Sequence, residues 1–144
     1  MKVHEIMTRD LTSVEADVTI RELIFILDNA RMPNIPVVND ANQLLGIISE
    51  KDLIRAALPG YFDMLHSASF IPDLNQMAKR LSAIIDDPAE KHMQRSVLHV
   101  LADDDVLQAA DLIIRKDISN IPVVDGEGQL VGRVKRIDLL KPYI

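Results

Sequence analysis

Asn34-Ile35-Pro36-Val37-Val38 recurs 86 positions later as Asn120-Ile121-Pro122-Val123-Val124. When this offset is kept without a gap, residues 7–58 align with residues 93–144, and 15 of the 52 pairs are identical. Chance would give about one identity in sixteen for an average composition. The chain is therefore interpreted as two copies of one supersecondary unit.

Each copy predicts the order β-α-β-β-α. A short helical turn and a brief extended piece come first, and Thr19 with Glu22 then forms a capping box at a helix start. Asp105 and Gln108 hold the same positions in the second copy. β-Branched residues favour a strand at 35–38. A polar turn and a second strand at 44–49 follow, and a helix is expected from about residue 50 to 58.

The turn between the two strands of each copy is rich in residues that tolerate positive φ. Asp40 and Asn42 align with Gly126 and Gly128, so these positions are predicted to form a hairpin. Gly132 follows Gly128 at the wrong spacing for a dinucleotide-binding G-x-G-x-x-G loop, and no strand-glycine-helix order supports such a loop.

The segment between the copies predicts helices of its own. Three parts result: residues 1–58, a helical segment 59–90, and residues 91–144. Asp73 is expected to cap a helix with apolar residues at intervals of three to four, and Asp87-Pro88-Ala89-Glu90 reads as a cap followed by Pro at the first helical position. The apolar residues of 61–71 are expected to pack on the module or on a partner subunit.

Composition excludes several classes of protein. Apolar residues form 48% of the chain and aromatic residues 3%, which predicts an aliphatic core. The net charge of −6 disfavours a nucleic-acid partner. No apolar run approaches the length of about 18 residues that a membrane span needs, so none is predicted. Cysteine is absent and no signal peptide is recognised, so a cytoplasmic location is expected.

No catalytic constellation is found. His4-Glu5 begins like a zinc-binding H-E-x-x-H motif, but Thr8 stands where the second histidine is needed. No nucleophile is paired with a base, and no phosphate-cradling Walker loop is present. We therefore expect no catalytic residue, no metal site, no obligatory cofactor and no turnover of nucleotides.

The segments around the two Ile-Pro-Val-Val strands resemble the most recognisable part of a CBS domain, the module named after cystathionine β-synthase. The family pattern continues with G-h-h-(S/T)-x-x-D, matched here by Gly46 to Asp52 and by Gly132 to Asp138. The resemblance implies an α/β (α+β) fold in which two repeats pack sheet to sheet about a pseudo-twofold axis. It also implies two clefts between the repeats and a homodimer.

The resemblance further implies that each cleft takes a purine from one repeat and a ribose-binding Asp from the other. A carboxylate at a helix start can accept two hydrogen bonds from a ribose diol, and a neighbouring hydroxyl lies where phosphate is favoured. Cleft A is then formed by Met32, Pro33, Asn34, Pro36 and Asp17 with Asp138, Lys135 and Arg136. Cleft B is formed by Ile118, Ser119, Asn120, Pro122 and Asp103 with Asp52 and Ser49.

The sequence leaves two functions open. The first is a regulatory module that binds an adenosine nucleotide (AMP, ADP or ATP) and signals occupancy to an effector protein. The second is a dimerisation or adaptor module with empty clefts. S-adenosylmethionine and a dinucleotide are also compatible with the purine slot. Lys135 replaces the family's hydroxyl in cleft A, so either cleft A favours a more highly phosphorylated nucleotide, with AMP in cleft B, or cleft A is degenerate. Asp52 and Asp138 would also suit helix starts that bind no ligand.

Overall fold

The computed structural model describes residues 1–58 and 74–144. The first copy begins with a short helix, α1 (Val3–Ile6). The elements that follow are β1 Val14–Glu15, α2 Ile20–Ala30, β2 Asn34–Val38, β3 Leu44–Ser49 and α3 Glu50–Ala57. The predicted order β-α-β-β-α is confirmed for this copy.

The second copy repeats the same elements up to its last helix. After α4 (Leu74–Ile84) come a 3₁₀ turn at Ala89–Lys91, then β4 Val100–Leu101, α5 Val106–Arg115, β5 Asn120–Val124 and β6 Leu130–Lys135. Two 3₁₀ turns, Arg136–Leu139 and Lys141–Tyr143, end the chain. α4 confirms the helix predicted there, whereas its expected cap Asp73 and the apolar residues 61–71 lie outside the described residues.

The second copy ends in 3₁₀ turns where an α-helix was expected. Pro142 aligns with Ala56 of α3 and has no backbone N–H to donate, and it disfavours helical geometry in the residue before it. The expectation for Pro88 was also wrong. Pro88 is the extended residue before the 3₁₀ turn, and Asp87 contacts His92 Nε2 at 3.0 Å instead of capping a helix.

Two three-stranded sheets have the same mixed topology. β1 lies parallel to β2, and β2 is antiparallel to β3; β4, β5 and β6 repeat this arrangement. Pro36 pairs with Ile47 and Pro122 with Arg133, and the register shifts at the same point in both sheets. The duplication predicted from the sequence is therefore visible in every strand pairing.

The two hairpins meet about a pseudo-twofold axis. Leu44 N donates to Gly128 O at 3.0 Å, and Leu130 N donates to Asn42 O at 2.9 Å, which are equivalent bonds at the offset of 86. Asn42 and Gly128 have φ of 62° and 80°, as the predicted hairpin residues require. The α+β class and the pseudo-twofold arrangement of the two repeats are confirmed.

Each sheet has an aliphatic core on its helical side. One core is centred on α2 and the other on α5. The first contains Ile20, Leu23, Leu27, Ile35, Val37, Ile48 and Ala89; the second contains Val3, Val100, Ala109, Ile113, Ile121, Val123 and Val134. Val3, at the start of the first copy, therefore lies in the core of the second repeat. Ala89, which leads into the second copy, lies in the core of the first repeat.

This exchange involves two short stretches, which we call leading segment 1 (residues 2–8) and leading segment 2 (residues 88–94). Thr8 N donates to Arg133 O and Arg133 N to Thr8 O, at 2.8 and 2.9 Å. Gln94 and Ile47 form the same reciprocal pair at 2.8 and 2.9 Å. Each leading segment thus joins the sheet of the opposite repeat.

Glycine is required where a leading segment crosses a sheet. A Cβ on Gly132 would lie 2.6 Å from the carbonyl oxygen of Thr8, and one on Gly46 would lie 2.8 Å from that of Gln94. Real Cβ atoms do not approach so closely, so packing requires glycine at this position of the motif in both repeats.

Candidate functional site

Asp52 is the third residue of α3, and it forms a capping box with Ser49. Ser49 N and Ser49 Oγ both donate to Asp52 Oδ2 at 2.9 Å, while Asp52 N donates to Ser49 Oγ at 3.2 Å. The other oxygen, Oδ1, accepts from Gln94 Nε2 at 2.9 Å. The Asp52 side chain is 8% exposed. The structural role expected of a helix-start carboxylate is therefore present alongside any ligand role.

Asp138 holds the equivalent place after β6. Lys135 N and Thr8 Oγ1 donate to its Oδ2, both at 2.9 Å, and Lys141 Nζ lies 3.4 Å from its Oδ1. Its side chain is 2% exposed. A buried carboxylate with charged and neutral donors around it can accept hydrogen bonds from hydroxyl groups, provided that a ligand reaches it.

The leading segments supply the site residues that sequence reasoning missed. Thr8 contacts Asp138 and Gln94 contacts Asp52, each from the opposite repeat's leading segment. The two residues are one offset of 86 apart and directly follow the identical pair Met7 and Met93. Their equivalent position in the alignment is the signal that the sequence offers, but Thr and Gln differ, so the identities between the copies do not include them.

Cleft A is rich in charge. Arg133 Nη2 contacts Asp10 Oδ2 at 2.7 Å, and the arginine side chain is only 15% exposed. Hydrogen bonds from the hydroxyl and the backbone N–H of Thr12 hold the pKa of Asp10 below its ordinary value. They outweigh the opposing effect of burial, and Arg133 and Lys135 lower the pKa by smaller amounts. Cleft B has Ile47 and Ser49 where cleft A has Arg133 and Lys135.

The residues expected to hold the purine lie on β2 and β5 and just before them. Asn34 pairs with Ser49 in the first sheet, and Asn120 pairs with Lys135 in the second. Met32 and Pro36 are buried, as are Asn120 and Pro122; Ile118 is half-buried, whereas Pro33 and Ser119 are exposed. Within residues 1–58 and 74–144, no hydrogen bond joins 32–36 to Asp138 or 118–122 to Asp52.

Two buried polar atoms near the clefts have no hydrogen-bond partner among the described residues. They are Asn34 Oδ1 and Arg133 Nε. Asn120, the counterpart of Asn34, instead donates from Nδ2 to Ser119 Oγ at 3.1 Å. Buried polar atoms are rarely left unpaired, so both atoms mark places where a ligand can supply the missing partner.

Three other predicted residues lie apart from the carboxylates. Arg136, assigned to cleft A, donates to Ile118 O and to Asp117, both at 3.1 Å, and so lies beside a residue assigned to cleft B. Asp17 and Asp103 are exposed, and Asp103 lies 3.9 Å from His4. Neither of these two carboxylates contacts Asp52 or Asp138.

An apolar groove of about 460 Å³ lies between α2, α3 and α4. It is lined mainly by apolar side chains, among them Ile24, Leu53 and Met77. In the part of the chain that the structure describes, no cluster of histidine and acidic side chains is arranged to hold a metal ion. No helix in that same part is long and apolar enough to cross a membrane.

A comparison with models of known protein families identifies the repeated unit. The CBS domain family matches twice, at residues 3–59 and 89–143. The chain belongs to the CBS-domain family. A relative by sequence is the protein MJ1426 of Methanocaldococcus jannaschii, which is 26% identical over an alignment that covers all of this chain and 92% of the relative.

Solved CBS-pair structures share the fold. The structure of CBSX2 in complex with AMP is 23% identical, with a TM-score of 0.74 over 98% of this chain and 94% of the other. The CBS domain pair of MJ0100, solved with 5′-methylthioadenosine and S-adenosyl-L-methionine, is 23% identical, with a TM-score of 0.68 over 99% and 95%. At these identities the two structures establish the common fold of the CBS pair.

Proposed function

We propose that this CBS pair is a non-catalytic regulatory module that binds adenosine nucleotides in clefts A and B and signals their occupancy to an effector protein. The observation that carries the proposal is the equivalent placement of Asp52 and Asp138, each held at the start of a helical turn and contacted by the opposite repeat's leading segment. A ribose diol can donate two hydrogen bonds to such a carboxylate.

The ligands of two structural neighbours support the choice of adenosine. AMP in CBSX2, and methylthioadenosine and S-adenosylmethionine in MJ0100, share the adenine and ribose and differ in the group attached to the 5′ carbon. A site built around a ribose-binding carboxylate and a purine slot can hold all three. We therefore expect the adenosine part to determine binding and the 5′ group to determine which cleft is preferred.

The charge of the two clefts supports unequal ligands. We assign Lys135 and Lys141 to cleft A, and Arg133 lies two residues before Lys135 on β6, where it contacts Asp10. Cleft B has Ile47 and Ser49 at the positions of Arg133 and Lys135, and it keeps a cation, Arg55, at the position of Lys141. Each added phosphate contributes more binding free energy when cations lie beside it. Cleft A therefore suits ADP or ATP, and cleft B suits AMP.

Signalling follows from the way each site is assembled. A ligand that contacts Asp138 also meets the leading segment of the other repeat at Thr8, so its binding free energy depends on how the two repeats sit together. Only a ligand with different affinities for two arrangements can shift the balance between them. An effector that contacts both repeats can then respond to occupancy.

A thermal-shift screen tests the proposal. AMP, ADP, ATP, methylthioadenosine and S-adenosylmethionine are expected to raise Tm, and GMP and GTP serve as controls that are not expected to do so. A ligand at a hundred times its Kd stabilises the folded state by about 2.7 kcal/mol, which the assay detects readily. Absence of any shift with all five adenosine compounds at millimolar concentration would refute nucleotide binding.

A ligand-free adaptor is the second candidate, and one observation favours it. Both carboxylates already accept hydrogen bonds from their own chain, so their burial is satisfied without a ligand. An adaptor would form its oligomer at the same concentration with and without nucleotide, and it would bind none of the screened compounds. Light scattering and the thermal-shift screen together separate the two functions.

A further inference from the structure

The two carboxylates differ in which oxygen their own chain occupies. Asp138 receives both of its short bonds, from Thr8 Oγ1 and Lys135 N, on Oδ2. Its Oδ1 is approached by Lys141 Nζ at 3.4 Å, a long contact from a side chain that is more than half exposed. One oxygen of Asp138 is thus strongly paired and the other weakly paired.

Asp52 is paired on both oxygens. Ser49 supplies two bonds to Oδ2, and Gln94 Nε2 donates to Oδ1 at 2.9 Å. Arg55 Nη1 lies farther from the same Oδ1, at 3.8 Å. Gln94 is exposed, whereas the Asp52 side chain is only 8% exposed.

The backbone and the side chain of Gln94 have separate hydrogen-bond partners. Its backbone is fixed by the reciprocal bonds to Ile47, and its side chain reaches from there to Asp52. A ribose hydroxyl that approaches Asp52 Oδ1 meets the glutamine amide on the same oxygen. Binding therefore has to break or share a hydrogen bond to a charged group, which costs part of the free energy that the ribose gains.

We infer that Gln94 is a built-in competitor for the ribose at Asp52 and lowers the affinity of cleft B for adenosine ligands. The inference rests on the proposed function, because it takes Asp52 to be the ribose acceptor. Thr8, the equivalent residue of cleft A, donates to the oxygen that the Lys135 amide already occupies, so Oδ1 keeps only the longer contact with Lys141 Nζ. Gln94 thus determines how the two clefts differ in affinity, in addition to the difference in charge.

Calorimetric titration with AMP tests the inference in Gln94→Ala. Removal of the competing amide is expected to tighten one AMP site by about three- to ten-fold, a range below the full value of a hydrogen bond to a charged group. Titration with 2′,3′-dideoxy-AMP should show no such gain, because that compound has no diol to place on Asp52. Gln76→Ala, the same change on the exposed surface of α4, is the matched control and should leave AMP binding unchanged.

Asp52→Ala separates this inference from the function on which it rests. If Asp52→Ala loses an AMP site while Gln94→Ala binds AMP no more tightly than the parent, Gln94 is not a competitor and the proposed function stands. If Gln94→Ala tightens AMP and the dideoxy compound equally, the effect does not act through the ribose and the inference is overturned. If Asp52→Ala keeps both sites at parental affinity, the proposed function itself fails.

Discussion

The carboxylates of Asp52 and Asp138 each have two roles. Each caps the helical turn that follows a strand, and each contacts a leading segment from the opposite repeat. The cap bonds come from within the motif, at Ser49 and at the Lys135 amide, whereas the second contact comes from Gln94 or Thr8 across the repeats. Substitution at either position therefore affects both stability and the proposed ligand site.

Asp52→Ala and Asp138→Ala are each expected to lose one nucleotide site. Without the carboxylate, the ribose hydroxyls lack their acceptor, at a cost of about 1.5–3 kcal/mol or roughly ten- to a hundred-fold in affinity. Isothermal titration calorimetry with AMP and ATP measures the loss, and circular dichroism checks that each variant remains folded. Parental affinity for every adenosine ligand in both folded variants would contradict the assignment.

Lys135→Ser gives cleft A the hydroxyl that cleft B already has. The ratio of the ATP affinity to the AMP affinity of cleft A is expected to decrease. A cation beside the phosphates contributes more binding free energy for each added negative charge than a hydroxyl does. Calorimetry with AMP and ATP measures the ratio of affinities in the parent and the variant. Ser49→Lys is the reciprocal control in cleft B, and an unchanged ratio in both variants would show that these positions do not face the phosphates.

Asp10→Asn tests the contribution of the Asp10 charge to stability through pH. The pKa of Asp10 is lowered in the folded state, so its charged form stabilises the fold above the ordinary value of 3.8, and that contribution disappears as the pH falls through the lowered pKa. Since the side chain is 35% exposed, we expect a loss of about 0.5–1 kcal/mol at pH 7. Thermal denaturation of both proteins should show Tm values that converge below about pH 4; a constant difference would contradict this.

The motif made Ser49, Asp52, Lys135 and Asp138 predictable from the sequence, because their spacing from the strand is fixed within each repeat. Their partners were not predictable in the same way. Thr8 and Asp138 are 130 positions apart and meet only because a leading segment crosses between repeats. No local pattern of apolar residues or helix caps indicates such a crossing. The residues that complete each site could therefore be identified only from the tertiary structure.

Among the elements, the leading segments constrain the strands β3 and β6 most directly. Each passes so close to its sheet that the strand carries glycine at the crossing, Gly46 or Gly132. The glycine that looked like part of a ligand motif is therefore explained by packing alone.

Gly132→Ala is expected to destabilise the protein by about 1–3 kcal/mol, because the added Cβ would lie 2.6 Å from the Thr8 carbonyl and the backbone must shift. Gly46→Ala should cost no more than this, since one of its two closest atoms is the sulfur of the adaptable Met93 side chain. Urea denaturation measures both. Gly126→Ala, where nothing lies within 4 Å of the new Cβ, is the control; an equal loss in all three variants would contradict the explanation.

The strands and helices with clear periodicity and caps were predictable, including α2, α5 and the hairpins. Thr19 accepts from Glu22 N at 3.2 Å, and Asp105 with Gln108 forms the complete capping box. The last element of the second repeat was predicted by analogy with α3 and differs. The similarity of the two repeats did not outweigh the local effect of Pro142, which removes a donor from the turn in which it stands.

On the scale of the whole molecule, the second repeat presents an apolar outer surface. Leu107 and Ile114 of α5 are 75% and 77% exposed, and Leu140 and Tyr143 are exposed in the turns that follow β6. Large apolar side chains grouped on one surface are typical of a contact between proteins. Together with the family resemblance, this surface supports the expectation of a homodimer.

Light scattering at tens of micromolar is expected to give the mass of a dimer. The double variant Leu107→Asp with Ile114→Asp should shift the mass toward that of a monomer, because charge on both positions opposes burial of the surface. Asp40→Lys, a charge change on the exposed turn of the first hairpin, is the control and should leave the dimer intact. A monomer mass for the parent protein would contradict the expectation.

The exchange of leading segments also bears on how the two clefts came to differ. A single unit with this arrangement must receive its leading segment from a second molecule, and two identical molecules related by a twofold axis have identical sites. When both units are fused in one chain, each leading segment is present at a high effective concentration. Assembly of the pair then no longer depends on the protein concentration. Fusion also removes the requirement of symmetry: Thr8 and Gln94, or Ser49 and Lys135, can change independently, and one protein can acquire two sites with separate affinities.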